Sequence, residues 1–280
     1  MSKRKGFTFV EVTLFLAITT GLFLGIALGV NTSIRSQKYN DATQSFLEFM
    51  RSIYSKVSNP QSPGAGNSED AIYGKLMVFG ESVNLDGSSN SDKAIFVYDV
   101  VGKADTVSGG LGTGSVKDML SKLNATVIRV TGKNASTGAI TAAELASVEK
   151  YTPHWGASID GTTNGSPFTG SILIVRHPRS GTINTLYSNT TIEVNSLFRS
   201  AKSTGNYNGV MNSLKNVLNS FNTTEINFCV NPFGPGVSSG TTKRQNIRLL
   251  KDARNASSVE LIELDSQYNA SSNPEGNKCW

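Results

Sequence analysis

An apolar run near the start of the chain constrains the fold most. It extends from Phe7 to Val30, follows the basic residues at 3–5 and contains one ionisable side chain, Glu11. A helix of that length is about 36 Å long, enough for the roughly 30 Å hydrocarbon core of a bilayer. Because lipid offers no partners to backbone amides, a helix is the expected form. The basic cluster is expected to stay on the cytoplasmic side, which predicts a single pass with the C-terminal part outside.

Glu11 is the unusual residue of this run. A carboxylate in a membrane span costs about 2–3 kcal/mol or more, so such a residue is expected to have a partner and a function. The next basic residue is Arg35, several helical turns away. The partner is therefore expected on another chain or at an N-terminus created by cleavage. A cut after Gly6 places the new ammonium of Phe7 four residues from Glu11.

The residues Gly6, Phe7 and Glu11, within GFTFVEV and after a basic leader, resemble the class III signal of type IV prepilins and type II secretion pseudopilins. In that family a membrane-embedded prepilin peptidase cleaves after the glycine and usually N-methylates the new N-terminal phenylalanine. The resemblance implies cleavage between Gly6 and Phe7 and N-methylation of Phe7. It also implies that Glu11 is an assembly contact, which pairs with the N-terminal ammonium of a neighbouring subunit.

Two other interpretations account for part of the same run. An ordinary signal peptide has an apolar core of about 7–15 residues and a cleavage site of small residues. This run is longer, and Glu11 fits poorly in it. A plain signal anchor also has basic flanks, but it gives no reason for Glu11.

The helix is expected to continue beyond the apolar run. Residues 31–57 contain no Gly or Pro, and their apolar residues recur at steps of three and four, which predicts one helix face packed on a globular head. Those residues are Ala42, Phe46, Phe49, Met50, Ile53 and Val57. Ser-Asn-Pro at 58–60 predicts the end of the helix.

These patterns divide the chain into four parts and predict an α+β fold class. The parts are a prepilin leader peptide at 1–6, a transmembrane and filament-core helix at 7–30, an amphipathic continuation at 31–58 and an exported β-rich globular head at 64–280. The resemblance implies a pilin-like fold, in which the long N-terminal helix packs on a mainly antiparallel β-sheet head. Asn231 to Gly236, a Pro/Gly turn between two predicted strands, is similar to the arrangement in H-type minor pseudopilins.

The head is expected to consist of short strands with a few short helices. Strands are predicted at Ile72–Gly80, Lys93–Val101, Ala125–Thr131, Ser171–Arg176, Thr182–Tyr187, Ile226–Val230, Asn246–Leu250 and Val259–Leu264. Helices are predicted at Val116–Leu123, Thr141–Val148 and 208–221, and a loop at 152–170. Asp86, Ser88, Asn90 and Asp92 have the spacing of the start of a calcium loop, but the rest of that motif is missing. A solvated hairpin loop is therefore the expectation for 81–92.

The two cysteines, Cys229 and Cys279, both lie in the exported part. An oxidising compartment favours a disulfide between them. Closing a loop of about 50 residues stabilises by roughly 4 kcal/mol in the chain-entropy model. Two free thiols are the alternative. A zinc site is not predicted, because CxxC spacing is absent and the chain has only two histidines.

No catalytic, cofactor or metal site is predicted. The sequence contains no GxSxG, HExxH or P-loop motif and no GxGxxG after a strand. Lys3, Arg4 and Lys5 account for three of the net charge of +5, so the charge alone does not argue for nucleic-acid binding. A DNA-uptake role would need a clustered basic face. The candidates for it are Lys243, Arg244, Arg248, Lys251 and Arg254.

The predicted function is structural, with no enzyme activity. The expected partners are a prepilin peptidase, membrane lipid before assembly, an inner-membrane assembly platform and other pilin or pseudopilin subunits. The resemblance implies a single-pass protein of the cytoplasmic (inner) membrane, with its head outside, that later enters an extracellular or periplasmic filament (fimbrium). A head of more than 200 residues favours a minor subunit. The alternative from another class is a membrane-anchored extracellular binding or adhesin domain that does not polymerise.

Overall fold

A computed structural model describes much of the chain. The described residues are 8–59, 70–84, 86–91, 93–103, 115–123, 125, 127, 148–161, 166–178, 180–204, 213–231 and 245–263. The helices are α1 (Phe9–Ser58), α2 (Val116–Lys122), α3 (Val194–Thr204) and α4 (Ser213–Val217). The strands are β1 (Asp70–Phe79), β2 (Ile95–Lys103), β3 (Val148–Tyr151), β4 (Ser158–Asp160), β5 (Gly170–Arg176), β6 (Ile183–Ser188), β7 (Ile226–Asn231), β8 (Gln245–Leu249) and β9 (Val259–Glu263).

Helix α1 is a single continuous helix of 50 residues. At 1.5 Å per residue it is about 75 Å long. Thr8 caps its N-terminus, and at the other end the backbone N–H of Asn59 donates to the carbonyl of Ser55 at 3.1 Å. The predicted helix from Phe7 to Val57 is therefore confirmed from Phe9 onward, and Phe7 lies outside the described residues.

Five antiparallel strands form the larger sheet, in the order β3-β2-β1-β5-β6. Strand β1 is central, and Leu76 pairs with Tyr98 on one side and with Leu173 on the other. A bulge between Ile72 and Gly74 shifts the register with β2. A Cβ on Gly74 would lie 2.2 Å from the carbonyl oxygen of Ile174, so only glycine fits this close approach.

The alternation of side chains in this sheet divides the core into two layers. On one face Met77, Val97 and Ile172 pack toward α1. On the other face Leu76 and Phe96 pack toward the short helices α2, α3 and α4. Strands buried on both faces read as nearly continuous apolar runs, and β1, β2 and β5 each contain such a run.

The smaller sheet has the order β4-β7-β8-β9 and packs on the same core layer as α1. Phe46 of α1 contacts Phe228 of β7 edge to face, with ring centroids 5.4 Å apart. Arg51 donates two hydrogen bonds to the carbonyl of Val259 in β9, at 3.3 and 3.0 Å. The predicted apolar face of α1 is buried throughout, so its packing on the head is confirmed.

The α+β class with a mainly antiparallel sheet is confirmed. Strands β1, β2 and β5 to β9 start and end within two residues of the predicted strands, and α2 matches its predicted helix within one. Strand β2 begins at Ile95 rather than Lys93, because Lys93 has a left-handed backbone with φ 53°. Extended strand geometry is incompatible with that conformation.

Other predictions for the head were wrong. Val148 begins β3 instead of ending a helix, because it pairs with Tyr98 at the edge of the larger sheet. Strand β4 lies within residues predicted as a loop, where Ile159 pairs with Val230. Helix α3 was not predicted, although Val194, Phe198 and Ala201 have the helical spacing of its buried face.

Several predicted elements lie wholly or partly outside the described residues. Of the strand predicted at 125–131 only Ala125 and Val127 are described, and neither lies in a strand. The helix predicted at 208–221 is described from Ser213, as α4 followed by a short 3-10 turn at Leu218–Ser220. Residues 141–147 of a predicted helix and residues 232–236 of a predicted turn lie outside the described residues.

Candidate functional site

The first half of α1 exposes its apolar side chains. Fractional exposures range from 43% at Ile34 to 84% at Phe9. The exposed residues are Phe9, Val10, Val12, Leu14, Phe15, Leu16, Ile18, Leu22, Phe23, Leu24, Ile26, Val30 and Ile34. The 18-residue segment Phe9–Ile26 has a mean hydropathy of 2.0 and is the one helix among the described residues that is long and apolar enough to cross a membrane. Burial in the head begins at Ala42.

Glu11 lies in the first turn of α1 and caps that helix. The backbone N–H and the hydroxyl of Thr8 donate to Glu11 Oε2 at 2.8 and 3.0 Å, and the N–H of Glu11 donates to Thr8 Oγ1 at 3.3 Å. This reciprocal capping box satisfies donors that have no partner within the helix. A carboxylate at a helix N-terminus is also favoured by the helix dipole.

The structure therefore gives Glu11 a hydrogen-bonding partner in its own chain, Thr8, which is polar and not basic. The signal was in the sequence, since Thr8-Phe9-Val10-Glu11 is a Thr-x-x-Glu capping pattern before an apolar run. Both Thr8 donors reach the same oxygen, whereas a carboxylate accepts about four hydrogen bonds. Capping is thus compatible with a further, cationic partner, and the assembly contact stays a prediction.

The other predicted site residues are only partly described. Gly6, Phe7 and Cys279 lie outside the described residues, so cleavage, N-methylation and the disulfide stay predictions. Cys229 is buried in β7, where it pairs with Asp160 of β4 and Asn246 of β8 in the sheet register.

The described part of the candidate basic surface is partly neutralised. Arg248 lies between two carboxylates, with its Nε 3.8 Å from Glu225 and a terminal nitrogen 3.6 Å from Glu260. Lys251 and Arg254 are exposed, and Lys243 and Arg244 lie outside the described residues. Arg248 therefore adds little net charge to any surface for nucleic acid.

The connection between β1 and β2 is an ordered loop that uses its own polar groups. The Asp86 carboxylate accepts from the N–H and hydroxyl of Ser88 at 2.8 and 2.7 Å. Asn90 is buried, against the expectation of a solvated loop, and its side-chain amide donates to the carbonyls of Glu81 and Ala94. Asp92 is not described. Among the described residues, no group of three or more His, Cys, Asp or Glu side chains is arranged to hold a metal.

A buried polar cluster, not predicted from the sequence, lies at the N-terminus of α3. Glu81, only 2% exposed, accepts a hydrogen bond from the backbone N–H of Asn195. The Tyr98 hydroxyl is 2.5 Å from Glu81 Oε2 and 2.9 Å from Asn195 Oδ1. Burial raises the pKa of Glu81 to about 8, against the opposing effect of these hydrogen bonds, and the nearby Glu193 adds to the rise.

A proton on Glu81 completes this cluster. A phenol has one proton, so Tyr98 donates to only one of its two neighbouring oxygens. With Glu81 protonated, the carboxyl donates to Tyr98 and Tyr98 donates to Asn195, so each contact has a donor. The cluster joins the β1–β2 connection to α3, and its position in the core favours a structural role.

Comparisons with known protein families, with curated proteins and with solved structures found no match. The functional argument therefore depends on α1, its exposed apolar half and the capped acid at its start.

Proposed function

We propose that this chain is a structural subunit, of the minor kind, of a type IV pilus or type II secretion pseudopilus. The observation that carries the proposal is that one unbroken helix has an exposed apolar half and a half buried in the head. Such a helix needs lipid around its first half before assembly and other apolar helices around it afterwards. The signal-like sequence around Gly6 and Phe7 supplies the processing step of the proposal.

Three glycines support helix packing in the exposed half. Gly21, Gly25 and Gly29 recur at every fourth residue, so they lie along one side of α1. A Cβ added at any of them would meet no atom within 4 Å, so the space beside them is open in the isolated chain. Small residues at this spacing allow apolar helices to approach closely, which suits a bundle of subunit helices.

The proposed course starts in the cytoplasmic membrane. Lipid covers the apolar half, a prepilin peptidase cleaves before Phe7 and methylates it, and an assembly platform moves the subunit into the filament. Glu11 then pairs with the ammonium of a neighbouring subunit while Thr8 holds the carboxylate. In the filament this ion pair compensates a carboxylate that would otherwise be unpaired among apolar helices.

The N-terminus of the exported chain tests processing. Mass analysis of the N-terminal peptide is expected to show N-methylphenylalanine from Phe7 as the first residue. A chain that starts elsewhere contradicts the processing step.

Filament formation tests the assembly role of Glu11. Glu11→Ala is expected to abolish incorporation into filaments while the protein still inserts in the membrane. The matched control is Glu48→Ala, which removes an exposed acid on the head part of the same helix and is expected to leave assembly unchanged.

The capping box favours a second candidate, a membrane-anchored extracellular binding or adhesin domain that does not polymerise. A capped Glu11 needs no partner from another chain, so capping alone accounts for the acid. In that case Glu11→Ala leaves the head on the cell surface, in the same amount or more, and no filament contains the protein. Membrane fractionation together with filament shearing separates the two candidates.

A further inference from the structure

An exposed tryptophan lies beside α1 where the helix leaves the head. Trp155 is 58% exposed and occupies the 3-10 turn His154–Gly156 between β3 and β4. Its backbone is left-handed, with φ 59°, a conformation that is unfavourable for a bulky residue. Such a conformation persists only where the surroundings impose it, and it often marks a functional position.

The surroundings of Trp155 hold its ring next to the helix. The N–H of Ala157 donates to the carbonyl of His154 at 3.0 Å and closes the turn. Just before the turn, Tyr151 stacks on Phe49 of α1, with centroids 4.2 Å apart and 15° between the planes. Lys38 Nζ lies 5.1 Å from the centroid of the Trp155 ring, within the range of a cation–π interaction.

The position of Lys38 along α1 places this pair near a membrane surface. Twenty helical residues from Phe9 cover a hydrocarbon core of about 30 Å, and Lys38 follows ten residues later, about 15 Å further on. Helical side chains tilt toward the N-terminus, which brings the ammonium several Å closer to that boundary. The headgroup layer extends about 5–8 Å beyond the hydrocarbon. The Lys38 ammonium thus lies within a few Å of the outer edge of that layer, with the Trp155 ring beside it.

The residues near Lys38 are of the types that favour the interface between membrane and water. Tryptophan is enriched at the boundary between membrane and water, where its ring and its N–H meet different surroundings. Between Glu11 and Asp41 the sequence has no acidic residue, and its basic residues are Arg35 and Lys38. Phospholipid headgroups carry a phosphate, and anionic headgroups attract lysine and arginine close to the surface.

We propose that Trp155 and Lys38 form a phospholipid contact, in which the ring enters the headgroup layer and the ammonium binds lipid phosphate. This contact sets the orientation of the head on an anionic membrane surface before assembly, and it is lost when the subunit leaves the bilayer. It rests on the membrane insertion of α1 that the proposed function includes.

Fluorescence of the full chain in vesicles tests this contact. Trp280→Phe leaves Trp155 as the single tryptophan, because the sequence contains two. The protein is reconstituted in phosphatidylcholine vesicles with about one third phosphatidylglycerol, and its flotation with the vesicles is measured first. We expect quenching by acrylamide to be at least twofold weaker than in detergent. A spin label on the headgroup is expected to quench Trp155 more than a label deep in the acyl chain.

Lysine variants test whether the Lys38 ammonium itself contributes to the contact with anionic lipid. Lys38→Gln is expected to reduce quenching by the headgroup label at least twofold in anionic vesicles and to have a smaller effect in pure phosphatidylcholine. The control Lys56→Gln changes a lysine that pairs with Glu149 near the other end of α1, and it is expected to have no effect.

Two results would overturn the proposal in distinguishable ways. Protein that floats with vesicles but leaves Trp155 as open to acrylamide as in detergent, with no headgroup quenching, excludes the lipid contact and leaves the proposed function intact. Protein that does not float contradicts membrane insertion, and with it both proposals.

Discussion

At the start of α1, the Glu11 carboxylate accepts hydrogen bonds from the N–H and the hydroxyl of Thr8, and the Thr8 hydroxyl accepts one from the N–H of Glu11. These contacts measure 2.8 to 3.3 Å. The acid that makes the apolar run unusual is therefore held by a residue only three positions away. Because the cap fixes the direction of the carboxylate, Thr8 acts as a positioning residue for any partner of Glu11.

Removing the Thr8 hydroxyl tests this positioning. Thr8→Ala is expected to destabilise the first turn by about 1 kcal/mol, the usual cost of losing an N-cap. Hydrogen exchange of the first-turn amides measures this loss, and filament yield measures its effect on assembly. Thr8→Ser should restore both. The control Thr13→Ala, which removes a hydroxyl bonded to the carbonyl of Val10, should change neither.

If Glu11 serves only as a cap, Thr8→Ala and Glu11→Ala will have the same small effect on filament yield. If it also binds a neighbouring subunit, Glu11→Ala will reduce filament yield far more than Thr8→Ala does. Equal filament yields for both variants would contradict the assembly contact.

A large side chain on the side of α1 that carries Gly21, Gly25 and Gly29 is expected to block packing between subunit helices. Gly25→Leu fills the open space beside the helix and should lower filament yield at least tenfold, because the helices can no longer approach closely. Thr20→Leu adds a similar side chain on another side of the same helix and should have a much smaller effect. Membrane insertion, followed by vesicle flotation, should be equal in both. A normal filament yield for Gly25→Leu would exclude this side from the subunit interface.

Stability is expected to fall as the pH rises, because of Glu81. Burial raises its pKa to about 8 from an ordinary value of 4.5, so between these values the folded protein holds a proton that the unfolded chain has released. The contribution is fully present below about pH 4.5 and is lost as the pH approaches 8. The free energy of unfolding should change by up to about 1.4 kcal/mol per pH unit across this window.

Glu81→Gln is expected to remove this slope, since a glutamine amide donates to Tyr98 as the protonated acid does. Urea unfolding at several pH values between 5 and 8 measures it. The control Glu149→Gln changes a surface acid paired with Lys56 and should keep the slope. A slope that persists in Glu81→Gln would show that another group carries the proton.

Thr185 is expected to be a stabilising link between α1 and the two sheets. Its hydroxyl donates to the carbonyl of Ala253 at 2.7 Å and lies 2.8 Å from the hydroxyl of Tyr54. Thr185→Val leaves both neighbours buried without this partner and should cost about 2–4 kcal/mol in the free energy of unfolding. Tyr54→Phe should cost less, because it removes only one bond. A loss below 0.5 kcal/mol for Thr185→Val, about the variation of surface substitutions, would contradict this role.

The predicted disulfide has a direct chemical test. If Cys229 and Cys279 are joined, alkylation without reductant should modify neither thiol, and reduction should increase the mass of the unmodified chain by about two hydrogens. Cys229→Ser and Cys279→Ser should then destabilise the head similarly, by roughly 4 kcal/mol in the chain-entropy model. Alkylation of both cysteines in the unreduced protein would exclude the bond.

Local patterns in the sequence were sufficient for the elements that carry strong periodicity. The buried face of α1 from Ala42 to Val57 follows from helical spacing, because an apolar face that repeats with the helical period is visible before any packing is known. The first half of α1 follows from the length of its apolar run, and most strands of the head follow from short apolar runs between turn residues. The Thr8–Glu11 cap and the buried face of α3 also have local sequence patterns, although neither was predicted.

The tertiary structure decided the features that depend on distant residues. Strands β3 and β4 are short, and each exists because a longer strand pairs with it. Glu81 is buried because α3 presents the N–H of Asn195 to it, and Trp155 is exposed beside Lys38 because the turn after β3 meets α1 there. The sequence by itself determined the long helix with its apolar half and capped acid. Only the tertiary structure decided which polar groups are enclosed and which aromatic ring is exposed, because both depend on contacts between residues far apart in the chain.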